Sequence, residues 1–309
     1  MKKIFCSMIV LAMLGSACTK TKQVAKNDVT GPIRIVTTTG MIGDLVKNIG
    51  GERVEVLTLM GAGVDPHLYK ASAGDIRHLQ EARMIFYNGL NLEGKMGDIF
   101  VRVSRDNPFV IPVTEDFDHA KLLEPPAFQG HFDPHVWFDV TLWAEAGRRV
   151  QKALEVFDPA GSAVYQKNGE VLQKRLTELH KWSIQKASEL PKIKRVLVTS
   201  HDAYNYFGRA YGFEVIGLQG ISTVTQAGLA DIANMVDFIL KHKVKAVFVE
   251  TSVSPKAIQR VEQDAKSRGW PLKIGGELFS DAMGKAGSPE GTYEGMIRHN
   301  MNTIVENLK

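Results

Sequence analysis

The sequence predicts an α/β fold of two βα lobes with parallel sheets, joined by one long rigid helix. Three observations carry that prediction. Apolar β-rich runs alternate with helical patterns over residues 33–113, the alternation gives way to one helical pattern over 158–190, and it then restarts and continues to the C-terminus. Such alternation marks parallel strands covered by helices on both faces. At 309 residues, with 44% hydrophobic and 23% charged, the chain is long enough for two domains of ordinary size. A single large α/β domain with an internal structural helix is the alternative.

The chain begins "MKKIFCSMIVLAMLGSAC", with two lysines, an apolar run and small residues before Cys18, the order of a secretory signal. The run of about eleven apolar residues is too short to span a bilayer comfortably. Cys18 follows Gly15-Ser16-Ala17 and precedes the polar "TKTKQVAKNDVTG", so it resembles the lipid-attachment cysteine of a bacterial lipoprotein. The usual motif has Leu three residues before the cysteine; here Gly15 holds that place and Leu14 stands one earlier. Residues 1–18 therefore read as a signal or lipoprotein segment and 19–32 as a polar tether, which places the protein outside the cytoplasmic membrane, in the periplasm or at the cell surface. Cys6 and Cys18 are the only cysteines. An exported domain without thiols has neither a disulfide framework nor a Cys-rich metal site, and any metal must be held by nitrogen and oxygen. The net charge of +4 falls by two without Lys2 and Lys3, which is no footprint for nucleic acid.

The first lobe, 33–158, has strands at "IRIVTTT" (33–39), "RVEVLTL" (53–59), "RMIFYN" (83–88) and "FVIPV" (109–113), with a helix such as "SAGDIRHLQEA" (72–82) between them. The linking helix, 159–190, places Val164, Val171, Leu172, Leu176, Leu179, Trp182 and Ile184 at roughly helical spacing. Asp158 reads as its N-cap, Pro159 as its first residue, and Pro191 lies just past its end. The second lobe, 191–309, has strands at "KRVLVTS" (194–200), "FEVIGL" (213–218), "KAVFVE" (245–250) and "PLKIGG" (271–276), and a final helix from about Pro289. No Gly-Pro-Ser linker accompanies the helix, so the lobes are expected to tilt modestly rather than swing. Gly161 and Gly169 each lower its stability by about 1 kcal/mol relative to Ala and leave some room for bending.

The tripeptide Asp-Pro-His occurs twice, as Asp65-Pro66-His67 in "GVDPHLY" and Asp133-Pro134-His135 in "FDPHVWFD". Composition alone would supply on the order of 0.02 copies. Proline fixes its own φ and holds the preceding residue extended, so the imidazole leaves the chain in a set direction and loses less entropy on binding an ion. The aspartates are read as turn-stiffening acceptors of backbone N–H groups rather than as ligands.

In an open α/β sheet, ligands bind where strands end. His67 follows the strand "RVEVLTL" through "MGAGVDP", His201 follows "KRVLVTS", Asp281 follows "PLKIGGELFS", and His135 opens the helix beginning "VWFDVTLW". Separations of 68, 66 and 80 residues make this no local motif; only the fold can assemble the four, two from each lobe, in the interlobe cleft. His78, His180, His242 and His299 sit in charged helical patterns and are read as solvated, and His119 and His131 as loop residues. Glu250 and Glu277 are spare carboxylates near strand ends, read as supporting or capping groups.

On "GVDPHLY", "FDPHVWFDV", "RVLVTSHDAYNYFGRAYGFEV" and "IGGELFSDAMG", the chain resembles the zinc- and manganese-binding receptors of bacterial ABC importers, and within them the TroA-like receptors, from about Ile33 to the C-terminus. The resemblance implies two βα lobes tied by a rigid helix, with one metal ion held between them by His67, His135, His201 and Asp281, and a monomer that hands the ion to an ABC permease in the cytoplasmic membrane. Three imidazoles and a carboxylate suit Zn²⁺, and Mn²⁺ or Fe²⁺ if the Asp binds through both oxygens. Zinc-dedicated members often carry a long His-rich loop, absent here, and manganese-dedicated members often have Glu where this chain has His201, so dual use of zinc and manganese is the expectation. An exported zinc hydrolase is the rival, but catalytic zinc usually keeps an open position for water. A two-lobed receptor for a siderophore or haem would need a wide cleft with exposed aromatics or arginines.

Overall fold

The computed structural model describes residues 31–309, Gln129 excepted. The signal segment with Cys18, and nearly all of the tether, lie outside the described residues. Among the described residues, no helix is long and apolar enough to cross a membrane.

All eight expected strands form, with no end shifted by more than two residues. The first four are β1 (Ile33–Thr37), β2 (Val54–Thr58), β3 (Met84–Tyr87) and β4 (Val110–Pro112). They make one parallel sheet in the order β2-β1-β3-β4. Met84, Ile85 and Phe86 are consecutive and each fully buried, as a strand covered on both faces requires. In the second half, β5 (Val196–His201) pairs in parallel with β6 (Glu214–Gln219), and β7 (Ala246–Glu250) with β8 (Lys273–Leu278). β5 lies beside β7, which brings the C-terminal ends of both pairs to one edge of the cleft.

The helices are α1 (Gly40–Gly50), α2 (Ala73–Glu81), α3 (Gly97–Val103), α4 (Val140–Phe157), α5 (Ser162–Ser188), α6 (Asn205–Tyr211), α7 (Leu229–His242), α8 (Lys256–Ser267) and α9 (Tyr293–Leu308). α2 starts where a capping box predicts: Asp75 N donates to Ser72 Oγ at 3.2 Å and Ser72 N donates to Asp75 Oδ2 at 2.7 Å. His135 does not open α4 as expected. A 3₁₀ turn, Val136–Phe138, intervenes, and Asp139 caps the helix by accepting from Thr141 N at 3.0 Å.

The long helix is α5, 27 residues or about 40 Å at 1.5 Å per residue, entered through a 3₁₀ turn, Pro159–Gly161. It packs against α1 and α4 from the first half and α6 and α9 from the second, so it belongs to both. Its buried stripe is Tyr165, Gly169, Leu172, Leu176, Leu179, Ser183 and Ala187. Val164, Val171 and Ile184, which the sequence pattern had placed in the same set, are exposed. The stripe advances by three or four residues and runs through small Ser183 and Ala187, which apolar counting passes over.

Asp158 does not cap this helix. Its Oδ2 accepts instead from Arg53 Nε at 2.8 Å and Tyr165 Oη at 2.6 Å, because a guanidinium and a buried phenol are stronger partners than the 3₁₀ turn's N–H groups. Gly161 lies directly under this cluster, where a Cβ would overlap Arg53 Nε and Asp158 Oδ2. Its role is close approach rather than bending.

Candidate metal centre

Each candidate ligand is set by an end of regular structure. His67 is in the loop between β2 and α2, His135 precedes the 3₁₀ turn that leads into α4, His201 is the last residue of β5, and Asp281 follows β8. All four are buried, His67 at 4% exposure, Asp281 at 1% and the other two at 0%. β5 reaches its last residue in the right place because Gly217 in β6 lets the following turn pack closely: a Cβ there would overlap the main chain of Asp202.

The fold brings all four together. His67 Nε2 lies 3.3 Å from His135 Nε2, which is 3.4 Å from His201 Nε2. Asp281 Oδ1 lies 3.3 Å from His135 Nε2, and Oδ2 lies 3.4 Å from His201 Nε2 and 3.7 Å from His67 Nε2. One donor atom from each residue falls within 4.8 Å of every other. Four donors about 2.0–2.1 Å from one tetrahedral ion stand about 3.3–3.4 Å apart, so most of these separations match such an ion.

The other ring nitrogens decide which way the donors face. His135 Nδ1 donates to Asp133 Oδ1 at 2.7 Å, and His201 Nδ1 donates to Glu250 Oε2 at 2.5 Å. With both Nδ1 atoms carrying the proton, each neutral ring presents its Nε2 lone pair to the centre, the usual outer partnership of a metal-ligating histidine. Facing lone pairs 3.3–3.4 Å apart repel unless a cation lies between them. Both Asp281 oxygens are buried without a hydrogen-bond partner, which points to the same missing positive charge.

Without an ion, protons must supply it. Burial disfavours charge on His135, but Asp133 and then Asp281 outweigh it and raise its pKa to about 9. Burial likewise opposes charge on His201, and Glu250 and Asp281 outweigh it and hold the pKa well above the ordinary value. Burial would raise Asp281, yet His201 and His135 hold it well below the carboxylate range. His67 has no such carboxylate on its far side, and burial lowers it to about 4.

The two Asp-Pro-His turns are alike in the main chain and differ in the side chain. Asp65 Oδ1 accepts from His67 N at 2.8 Å, and Asp133 Oδ1 accepts from His135 N at 2.9 Å, the turn-stiffening role expected of both. Only Asp133 also reaches its own imidazole. Glu250, one of the two spare carboxylates, holds both the ring and the main-chain N of His201, the latter at 2.9 Å. Glu277 is exposed and takes no part.

Sequence reasoning missed the groups that fasten the second turn to the second half of the chain. Asn205 Nδ2 donates to Asp133 Oδ2 at 3.1 Å, Tyr206 Oη donates to Asp133 O at 3.0 Å, and Trp137 Nε1 donates to Ser280 O at 3.0 Å. The only local signal for Asn205 and Tyr206 was an aromatic-rich stretch after His201, and Trp137 stands two residues after His135. Of the histidines read as solvated, His78 and His242 are exposed. His180 departs from that reading: its Nδ1 is buried and unpartnered beside Tyr211, because α5 turns that face toward α6. His299 is half-buried, its Nε2 3.0 Å from Glu277 O. His119 and His131 are exposed loop residues.

Glu250→Gln is expected to weaken zinc binding by about 10–100-fold, because a neutral amide stabilises the ligating tautomer of His201 less than a carboxylate does. A chelator-competition titration measures it, and an unchanged affinity would remove Glu250 from the site.

Residues 35–307 match the family described as zinc-uptake complex component A, periplasmic. The chain is 46% identical over 278 residues to the manganese-binding lipoprotein MntA of Bacillus subtilis (strain 168), covering 90% of each. It is also 46% identical over 274 residues to the zinc-binding protein TroA of Treponema pallidum (strain Nichols), covering 89% of this chain and 88% of that one. The solved structure of the periplasmic zinc-binding TroA from Treponema pallidum superposes with a TM-score of 0.88 at 45% identity, over 90% of this chain and 99% of that one.

Proposed function

The chain belongs to the family of periplasmic zinc-uptake complex component A proteins, and from that premise we propose that it is the extracytoplasmic receptor of an ABC importer. It captures one divalent transition-metal ion, Zn²⁺ or Mn²⁺, as cargo and delivers it to a permease in the cytoplasmic membrane. Relatives with lipoprotein names support attachment to the outer face of that membrane, and Cys18 is the residue we assign to carry the lipid. We further propose that the protein acts as a monomer.

The observation that carries this reading is the convergence of three Nε2 atoms and two unpartnered carboxylate oxygens on one buried point. We assign His67, His135, His201 and Asp281 as the ligands. Both Asp281 oxygens face the imidazoles, so the carboxylate can bind through one oxygen in a four-coordinate zinc shell or through both for Mn²⁺, which favours more oxygen. A hydrolase would need an open position for water and a free general base. Here four protein donors surround the point, and Glu250 is committed to His201. Donor atoms so close together leave room for one ion and none for a siderophore or haem.

Elemental analysis tests the reading directly. Protein purified without added metal is expected to contain close to one equivalent of zinc or manganese, and His67→Ala far less. Equal contents would reject it.

We also propose that 33–158 and 191–309 are the two lobes and 159–190 their link. Because α5 packs against helices from both sides, loading is expected to change the radius of gyration little. Small-angle scattering of metal-free and loaded protein measures that, and a large contraction on loading would show a flexible hinge instead.

A further inference from the structure

The two histidine turns are fastened to the second half of the chain very unequally. The His135 turn is held there by Asn205, by Tyr206 and through Trp137. For residues 61–71, among the described residues, the contacts of the His67 ring with the other ligands are supplemented by one hydrogen bond to the second half: Thr223 Oγ1 donates to Asp65 Oδ2 at 2.6 Å. Thr223 is 5% exposed and lies in the connection between β6 and α7. The same Asp65 carboxylate, through its other oxygen, accepts from His67 N. A single carboxylate therefore joins the ligand's own main chain to a hydroxyl across the cleft.

Resting on the reading of this protein as a metal receptor, we propose that Thr223 is the latch that retains the ion. While its hydroxyl holds Asp65, the turn that aims His67 is fixed to the second half and all four donors stay in place. When that bond opens, the His67 turn loses its one described hydrogen bond to the second half, and His67 becomes the first ligand able to leave. The hydroxyl does not touch the ion, so it is a positioning residue. It governs how fast metal departs more than how fast it arrives, because the bond forms only once the turn has closed.

The test is stopped-flow transfer of Zn²⁺ from the loaded protein to excess chelator, with association rates measured separately. Thr223→Val keeps the shape and removes the donor, and is expected to speed dissociation by about tenfold, the loss of one hydrogen bond to a carboxylate, with little change in association. Thr223→Ser retains the hydroxyl and is expected to stay near the wild-type rate. Melting of the metal-free proteins checks folding, and Asp65→Asn provides a second route, since it weakens the same bond from the other side. Wild-type dissociation rates in both Thr223→Val and Asp65→Asn would overturn the latch. So would a Thr223→Ser variant as fast as Thr223→Val, because the effect would then be one of packing. Failure of the wild-type protein to bind Zn²⁺ at all would overturn the receptor reading itself, a separate result.

Discussion

Alanine in place of His135 is expected to weaken zinc binding by about a thousandfold or more, the largest loss of any single ligand. Removing only the outer partner of a metal-bound histidine costs about 10–100-fold, and this substitution removes the ligand and the use of its partner together. His135 Nε2 is also the hub of the centre, 3.3–3.4 Å from His67 Nε2, His201 Nε2 and Asp281 Oδ1. Its loss strands Asp133, which is fully buried and gives up the ring N–H that its Oδ1 accepts. An ion bound only by the native state stabilises it by about 4 kcal/mol at a thousand times its Kd. The variant should therefore lose most of the zinc-dependent rise in melting temperature at a fixed zinc concentration. Competition titration against a chromophoric chelator, with melting curves in parallel, checks both effects. Wild-type affinity in His135→Ala would exclude it from the ligand set.

Zinc affinity is expected to fall steeply as pH is lowered across the neutral range rather than only below the ordinary imidazole pKa near 6.5. His135, raised to about 9, and His201, raised well above its ordinary value, both carry protons in the ion-free protein at pH 7. The ion must displace them. His67, lowered to about 4, is already neutral and releases nothing in this range. Each displaced proton makes the apparent affinity rise about tenfold per pH unit below the ion-free pKa, so two protons give up to about a hundredfold between pH 6 and 7, flattening as pH passes 9. The linkage to folding runs the other way: a ring with a raised pKa stabilises the metal-free fold at low pH and loses that contribution as pH climbs through its folded-state value. Calorimetry in buffers of different ionisation enthalpy counts the protons. A release near zero at pH 7 would show that both rings are already neutral there.

The amino-acid sequence by itself determined what depends on local order. Strand and helix positions follow from the period of apolar residues, so runs such as Met84–Phe86 were legible to within a few residues. The repeated Asp-Pro-His named two imidazoles because proline constrains the backbone wherever it stands, and strand-end positions added His201 and Asp281. Where local reading failed, a competing partner lay far away in sequence. Asp158 looked like a helix cap, yet Arg53, 105 residues earlier, takes its carboxylate. His180 looked solvated until α6 covered it. The donor spacing of 3.3–3.7 Å, the claims of Asp133 and Glu250 on two ring nitrogens, and the bond from Thr223 to Asp65 were decided only by tertiary structure. Glu250 and His201 are 49 residues apart, and Thr223 and Asp65 are 158 apart. Such pairs carry no local periodicity, because their geometry comes from how sheets and helices pack and not from the residues beside them.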